Sequence, residues 1–476
     1  MPGTPARPAM NHLSSRIREI LEESRVGAPV PPAAEGSARA PAAALDLDRV
    51  SAALGGHVLT TALGPCVVVE RTFLASYCHG TSTTIEDVGT ERDAIGLLMG
   101  GPVDWTVGSA NLGGRLVYFD LETTGLGGGA GSRAFLVGCG SFTDSGFQTC
   151  QLFLPSPSFE RALLAQAALR LHAADAIVSF NGKSFDAPML ETRWAFHRMG
   201  VTLDDRPHLD LLHPARRLWR GPRAGAWRDS TPASFDVAER CTLDSLERGL
   251  LGVSRLGDPD GFEIPSIYFD YMRTSDPARL DAVFEHNRLD LLSLVALTAR
   301  AVRLVRAGPE GDATPTELLG LGRIFERGGR SEAAIRCFER AGASETQAPT
   351  TVGWPGPERR RRDGDTVRAE ALRRLARGLR QARRFAAAAA AWQRLSDLEP
   401  NNPTVRLETF EALAVHHEHR TRNLTKARQL ALRAFEDDHE PIRRRRLEHR
   451  LERLDRKLAR DESPGGLLDD GGADRR

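Results

Sequence analysis

Leu116-Val117-Tyr118-Phe119-Asp120-Leu121-Glu122-Thr123-Thr124-Gly125 is the stretch whose reading decides the fold. An apolar run is followed by two acids with one leucine between them. Side chains on a strand alternate between its two faces, so Asp120 and Glu122 point the same way. Two adjacent carboxylates at the end of an apolar strand are costly unless something cationic sits between them. A divalent metal answers that need, and oxygen donors of this kind suit Mg²⁺ or Mn²⁺. Taken alone, Asp-x-Glu fits a solvated turn with two unrelated acids equally well.

The pattern continues on both sides of this strand. Ala134 to Phe142 and Phe147 to Leu154 read as two further strands joined by a short turn. Ser158 is placed to cap a helix running to about Ala173. A buried-type strand follows at Ala176 to Phe180, a helix from about Phe185 to Met199, and a short strand at Leu209 to Leu212. A long helix runs from about Pro277 to Arg306. Strands joined by tight turns, then alternating helix and strand, predict an α/β domain over residues 111–308: a mixed sheet with helices packed on it. Ahead of it, residues 46–110 read as a small β-containing module with strand-like runs such as Val67-Val68-Val69. Residues 1–45 read as a loose N-terminus. A short helix is expected at Asn11 to Arg25 and an Ala/Pro-rich linker from Gly27 to Ala44.

Two more segments place acids near apolar elements. Asn181-Gly182-Lys183-Ser184-Phe185-Asp186-Ala187-Pro188 puts Asp186 at the start of a helix, where it also serves to satisfy free amides. Glu285-His286-Asn287-Arg288-Leu289-Asp290 opens onto an apolar helix, and His286 and Asp290, four apart, share a face.

At these residues the sequence resembles the DEDD exonuclease superfamily. DLETTG looks like the first motif of that superfamily, NGKSFDAP like its second and HNRLD like its third. The match is more specific to the YprB-like branch of ribonuclease H-like proteins, through the GGGAGSRAFLVG stretch and the LDSLERGLLG helix. It covers about residues 46–440, with the specific motifs within 118–295. The resemblance implies an α/β ribonuclease H-like mixed sheet and a metal-dependent nuclease, a 3'-5' exonuclease on single-stranded DNA or RNA. It implies two Mg²⁺ or Mn²⁺ ions held by Asp120, Glu122, Asp186 and Asp290. One departure stands out. The third motif of the superfamily usually has His five residues before its Asp, or Tyr four before it, whereas here His286 takes the four-residue spacing. An imidazole there suits orienting or deprotonating an attacking water. It equally suits a hydrogen bond to helix or phosphate. A scaffold that binds nucleic acid or protein without cutting is the alternative function.

Residues 312–461 read as all-helical and internally repeated. Leu321, Gly322, Phe325, Ala334, Phe338 and Ala341 have tetratricopeptide-like spacing, and Leu375, Ala376, Leu379, Ala388, Trp392, Leu395 and Pro400 repeat it. Ala427, Ala431 and Ala434 give a weaker third copy. An insertion from Ser344 to Asp365 separates the first two copies, and a last helix lines up Leu447, Leu451, Leu454 and Leu458. Repeats of this kind imply a possible protein partner. Residues 462–476 read as a loose Gly/Asp-rich tail.

Composition narrows the remaining classes. With 41% hydrophobic and 27% charged residues the chain is not wholly disordered. No apolar run is long enough for a membrane helix, and the start lacks an apolar signal core, so a cytoplasmic location is expected. The six cysteines form no CxxC pair and read as buried filler. The net charge is only +1, yet residues 351–460 carry 27 Lys+Arg against 16 Asp+Glu, a local +11. Arg359 to Arg362 and Arg443 to Arg446 are runs suited either to phosphate contact or to solvent. Asp210 is a candidate supporting acid; Lys183 and Arg133 are candidates for phosphate contact or plain surface charge. GLGGGA at 125–130 imitates a dinucleotide fingerprint but leads into a strand rather than a helix. Cys78 with His79 lacks the partners a metal site needs, and His416 and His419, which share a helix face, could hold a metal but read better as a solvated helix surface.

Overall fold

A computed structural model of the chain describes residues 45–74, 76–80, 85–103, 105, 115–125, 131–221, 241–343 and 357–462. The expected helix at Asn11 to Arg25, the linker after it, the glycine loop 126–130 and the tail from Ser463 lie outside these residues. Two compact units divide at Ala307/Gly308.

The first unit holds one seven-stranded mixed sheet in the order β1-β2-β5-β4-β3-β6-β7. Its strands are β1 (His57–Thr61), β2 (Gly64–Phe73), β3 (Leu116–Thr123), β4 (Ala134–Thr143), β5 (Gly146–Phe153), β6 (Ala176–Ser179) and β7 (His208–Asp210). β1 through β3 pair antiparallel along β1-β2-β5-β4-β3, while β3-β6 and β6-β7 are parallel. This is a ribonuclease H-like arrangement, followed by a second unit that is helical over its described residues.

The helices of this unit are α1 (Leu47–Ala53), α2 (Arg92–Met99), α3 (Glu160–His172), α4 (Asp186–Phe196), α5 (Leu212–Leu218), α6 (Leu243–Leu246), α7 (Ile264–Thr274) and α8 (Leu280–Ala307). Strand alternation sorts them onto two faces. Phe119, Cys139 and Cys150 pair across β3, β4 and β5, and they turn to α3, where Arg170 Nε bonds Cys150 Sγ at 3.1 Å. The next row, Asp120, Gly138 and Gln151, faces α8 instead. Both rows are flanked by fully buried apolar side chains, including Phe135, Leu152 and Phe153. Each contributes about 1.5–3 kcal/mol by leaving water.

Three expectations shift. Residues 46–110 do not form a sheet of their own: β2 pairs with β5, over Val67↔Phe153 to Phe73↔Phe147, so β1 and β2 extend the same sheet. Val67, Val68 and Val69 are buried, with α1 and α3 packed against β2. Ser158 does not cap α3. Pro157 starts a short 3-10 turn, Ser158 Oγ meets Ser156 Oγ at 2.9 Å, and the α-helix begins at Glu160. The strand expected at Leu209 to Leu212 ends at Asp210, because α5 starts at Leu212.

The second unit is a succession of helices: α9 (Pro315–Arg327), α10 (Ser331–Ala343), α11 (Pro357–Gln381), α12 (Phe385–Asp397), α13 (Pro403–His419), α14 (Leu424–Asp437) and α15 (Pro441–Glu462). Each packs on the next in sequence. Thr314 and Glu317 form a reciprocal capping box at the first of them. The insertion is shorter than its composition implies, since α11 already begins at Pro357 and includes Arg359 to Arg362. The side chains of those four arginines lie outside the described residues. Glu418 on α13 is buried and held by Arg450, Arg453 and Lys457 of α15 at 2.8–2.9 Å. Those cations pull its carboxyl down to about 2 against the cost of burial. Among the described residues no helix is long and apolar enough to cross a membrane.

Candidate metal centre

β3 carries Asp120 and Glu122 on the face covered by α8, and its register with β4 shifts between Glu122 and Thr123, at the end of the strand. Asn287 of α8, fully buried, reaches this row. Its Nδ2 donates to Asp120 Oδ2 at 2.9 Å, and its Oδ1 accepts from Gln151 Nε2 at 3.0 Å. Gln151 also donates to the Phe284 carbonyl at 2.7 Å. Gly138 makes room for this bridge: a Cβ there would lie 2.2 Å from Asn287 Oδ1. The glycine is therefore a requirement of close approach rather than of backbone conformation.

Asp186 begins α4, just after the parallel strand β6. The connecting loop passes through Asn181 at φ 64 and Gly182, where a Cβ would meet Ser179 Oγ at 2.3 Å. Asp210 at the end of β7 fastens this loop. Its Oδ1 accepts from the amides of Asn181 (2.7 Å) and Leu212 (3.1 Å), and its Oδ2 from that of Lys183 (3.2 Å). Asp210 is thus spent on backbone donors, in keeping with a supporting role.

His286 and Asp290 lie one turn apart on α8, as their spacing requires. One ligand atom each of Glu122, His286 and Asp290 lies within 4.8 Å of the others. His286 Nε2 is 4.0 Å from Glu122 Oε1 and 3.7 Å from Asp290 Oδ2. Asp120 and Asp186 stand outside this tight trio but press on it electrostatically. Burial and the charges of Asp290, Glu122 and Asp186 push the Asp120 carboxyl well above its ordinary range, against the Asn287 hydrogen bond. Glu122 is likewise pushed up, by burial and then by Asp290, Asp186 and Asp258. Burial, Asp210 and Asp290 raise Asp186 to about 7.

Sequence reasoning missed a second layer. Arg255 lies in the segment before α7, and its Nη2 bonds both Asp290 Oδ1 and Glu247 Oε1. Its Nε donates to Glu247 Oε2 at 2.8 Å and its Nη1 to Asp258 Oδ2 at 3.2 Å. Asp258 Oδ2 also meets His286 Nδ1 at 2.8 Å. The 255–258 stretch reads locally as a polar Gly-containing turn, and nothing in its pattern marks it as near α8. Glu247 sits in the π-helical turn Glu247–Leu251 that extends α6, within the LDSLERGLLG segment.

The lesser candidates fall outside the cluster. Lys183 is exposed, and Arg133 Nε sits 3.4 Å from Glu160. His79 is buried, with Nε2 2.7 Å from Ser293 Oγ; burial and Arg255 lower it to about 4, so it stays neutral. His417 bonds Thr421 and His419 approaches Glu418, which leaves that histidine group on ordinary helix contacts.

The donor set fits a hard divalent cation. Glu122 Oε1 is buried, and no hydrogen-bond donor among the described residues reaches it. An orphaned carboxylate oxygen inside a group of repelling acids is what a bound cation would satisfy. The carboxylate oxygens of the group are the donors that suit Mg²⁺ or Mn²⁺.

Two comparisons bear on the fold. The family model of the RNase H superfamily matches residues 117–302, which contain all four acids and His286. The Bacillus subtilis (strain 168) protein named uncharacterized protein YprB is 28% identical over 376 residues, 78% of this chain and 81% of its own length.

Proposed function

We propose that the chain is a metal-dependent phosphodiesterase, a 3'-5' exonuclease on single-stranded DNA or RNA, with Asp120, Glu122, Asp186 and Asp290 as its metal-holding carboxylates. The RNase H superfamily match supports a nuclease-like, nucleic-acid-binding activity in general. One observation carries the finer reading. Acids from three separate segments converge, burial and the neighbouring acids push up the carboxyls of Asp120, Glu122 and Asp186, and Glu122 Oε1 is left without a donor among the described residues. When bound, two Mg²⁺ or Mn²⁺ ions would activate the attacking water and stabilise the leaving oxygen.

The rest of the chemistry belongs to this chain. His286 Nε2 faces Glu122 and Asp290 and takes one proton from the attacking water. The water oxygen bonds to phosphorus, the bond to the leaving sugar oxygen breaks, and that oxygen takes a proton from solvent. The helical unit is proposed as tetratricopeptide-like, with a protein partner, and the protein as cytoplasmic. A second reading, a binding scaffold without cleavage, draws on Arg255, which already pairs with an oxygen of Asp290.

The test uses end-labelled single-stranded DNA and RNA with Mg²⁺, Mn²⁺ or chelator, beside Asp120→Ala and Asp290→Ala proteins. Stepwise shortening that disappears in chelator and in both variants supports the exonuclease and gives its polarity. Binding without cleavage of either strand supports the scaffold.

A further inference from the structure

Every potential base needs its proton on the right nitrogen. A neutral imidazole carries one N–H, and the partner of that N–H decides which nitrogen keeps a free lone pair. Around His286 the two nitrogens have opposite surroundings. Nε2 looks toward Glu122 and Asp290 at 4.0 and 3.7 Å, whereas Nδ1 is 2.8 Å from Asp258 Oδ2. Nδ1 has a second neighbour, Arg255 Nη1 at 3.5 Å, and a guanidinium can only donate. Asp258 is itself fixed, because its Oδ2 also accepts from Arg255 Nη1 at 3.2 Å.

We infer that Asp258 is a positioning residue: it holds His286 with the proton on Nδ1, so that the lone pair of Nε2 faces Glu122 and Asp290. This deepens the nuclease reading and rests on it for its catalytic consequence, but the tautomer itself does not. Without the carboxylate, the neighbour left to Nδ1 is the donor Arg255 Nη1. Nδ1 then becomes the acceptor, and the proton moves to Nε2, where it blocks proton uptake. A leucine leaves the same situation, because it offers Nδ1 no acceptor, whereas an asparagine oxygen in the place of Oδ2 would still accept from both Arg255 and Nδ1.

The alternative role for Asp258 is purely structural, anchoring the 252–263 segment through Arg255. It makes a different prediction, since the loss of an anchor alone leaves the proton on the same imidazole nitrogen. The experiment compares the full chain with Asp258→Leu and Asp258→Glu. Two-bond ¹⁵N spectra of histidine-labelled protein at pH 8 read the tautomer, with the His286 signal assigned by its loss in His286→Gln. The expected result is Nδ1–H in the parent and in Asp258→Glu, and Nε2–H in Asp258→Leu. In the nuclease assay Asp258→Leu is expected to lose kcat by roughly 10³- to 10⁴-fold with KM little changed, the behaviour of a base held in the wrong tautomer. Asp258→Glu is expected to recover part of that loss.

An unchanged tautomer in a folded Asp258→Leu protein overturns the inference, as does full kcat in that variant. If Asp258→Leu does not fold, a parent tautomer of Nε2–H overturns it just as well. A parent chain that cuts nothing in either metal overturns the nuclease reading instead, while the tautomer comparison still decides the role of Asp258.

Discussion

Asn287 Nδ2 lies 2.9 Å from Asp120 Oδ2, and this bond ties the acid of the central strand to the helix that carries Asp290. The same amide is held from behind by Gln151 and has room only because residue 138 is glycine.

Asn287→Ala is therefore expected to cost about 1–3 kcal/mol in denaturant unfolding, the range for a buried hydrogen bond to a charged group. Gly138→Ala is expected to cost about 1–3 kcal/mol by overpacking against the amide. The two costs should not add. In the double variant the alanine methyl enters space that Asn287 vacated, so the coupling should be at least about 0.5 kcal/mol in a double-mutant cycle. Additive costs would show that the glycine serves something other than the amide.

Arg255→Met removes the counter-charge of a buried carboxylate. Burial already raises Glu247, and Arg255, with a hydrogen bond from Ser293, opposes this. Loss of one partner of such a pair costs about 3–5 kcal/mol at neutral pH. The companion variant Arg255→Met/Glu247→Gln should regain much of that, read by thermal unfolding in chelator.

Stability should depend on pH through Asp186. Its folded value, about 7, lies above the ordinary carboxylate value of 3.8, so the folded state binds the extra proton. Its contribution is fully present at pH below about 4 and is lost as pH rises through 7. His79 and His208, lowered to about 4 and about 3, act in the opposite sense below pH 6.5, because they stay neutral only when folded. The readout is thus a difference. In chelator, Asp186→Asn should gain Tm relative to the parent as pH rises from 4 to 8, and a flat difference would contradict the assigned burial.

Mn²⁺ or Mg²⁺ should raise the Tm of the parent at pH 8 by several degrees and leave Asp120→Ala nearly unmoved. A ligand that binds only the folded state stabilises by RT ln(1 + [L]/Kd), so a concentration a hundredfold over Kd contributes about 2.7 kcal/mol. Equal shifts in both proteins would place the binding elsewhere.

The local parts of the site were legible. Asp120 and Glu122 follow from strand alternation, Asp186 from its place at a helix start, and His286 with Asp290 from helical spacing. Each of those inferences needs only neighbours along the chain. Arg255, Asp258 and Glu247 were hidden because their meaning lies in partners 8 to 35 residues away in a segment of turn residues. Asn287 stood in plain view inside the HNRLD motif and looked like a polar helix residue. Only the docking of α8 on Gly138 and Gln151 buries it. The same limit explains β1 and β2, whose place in the sheet depends on a pairing about eighty residues distant.

The order of the strands also sets where the site gives way first. β3 is flanked on both sides, by β4 and β6, while β7 is an edge strand of only three residues. Local opening starts where few neighbours must be broken. Fraying of β7 carries Asp210 with it and releases the loop that places Asp186, while Asp120 remains locked in the middle of the sheet. Under mild stress the centre would then fail by losing one corner, reversibly, long before the domain unfolds.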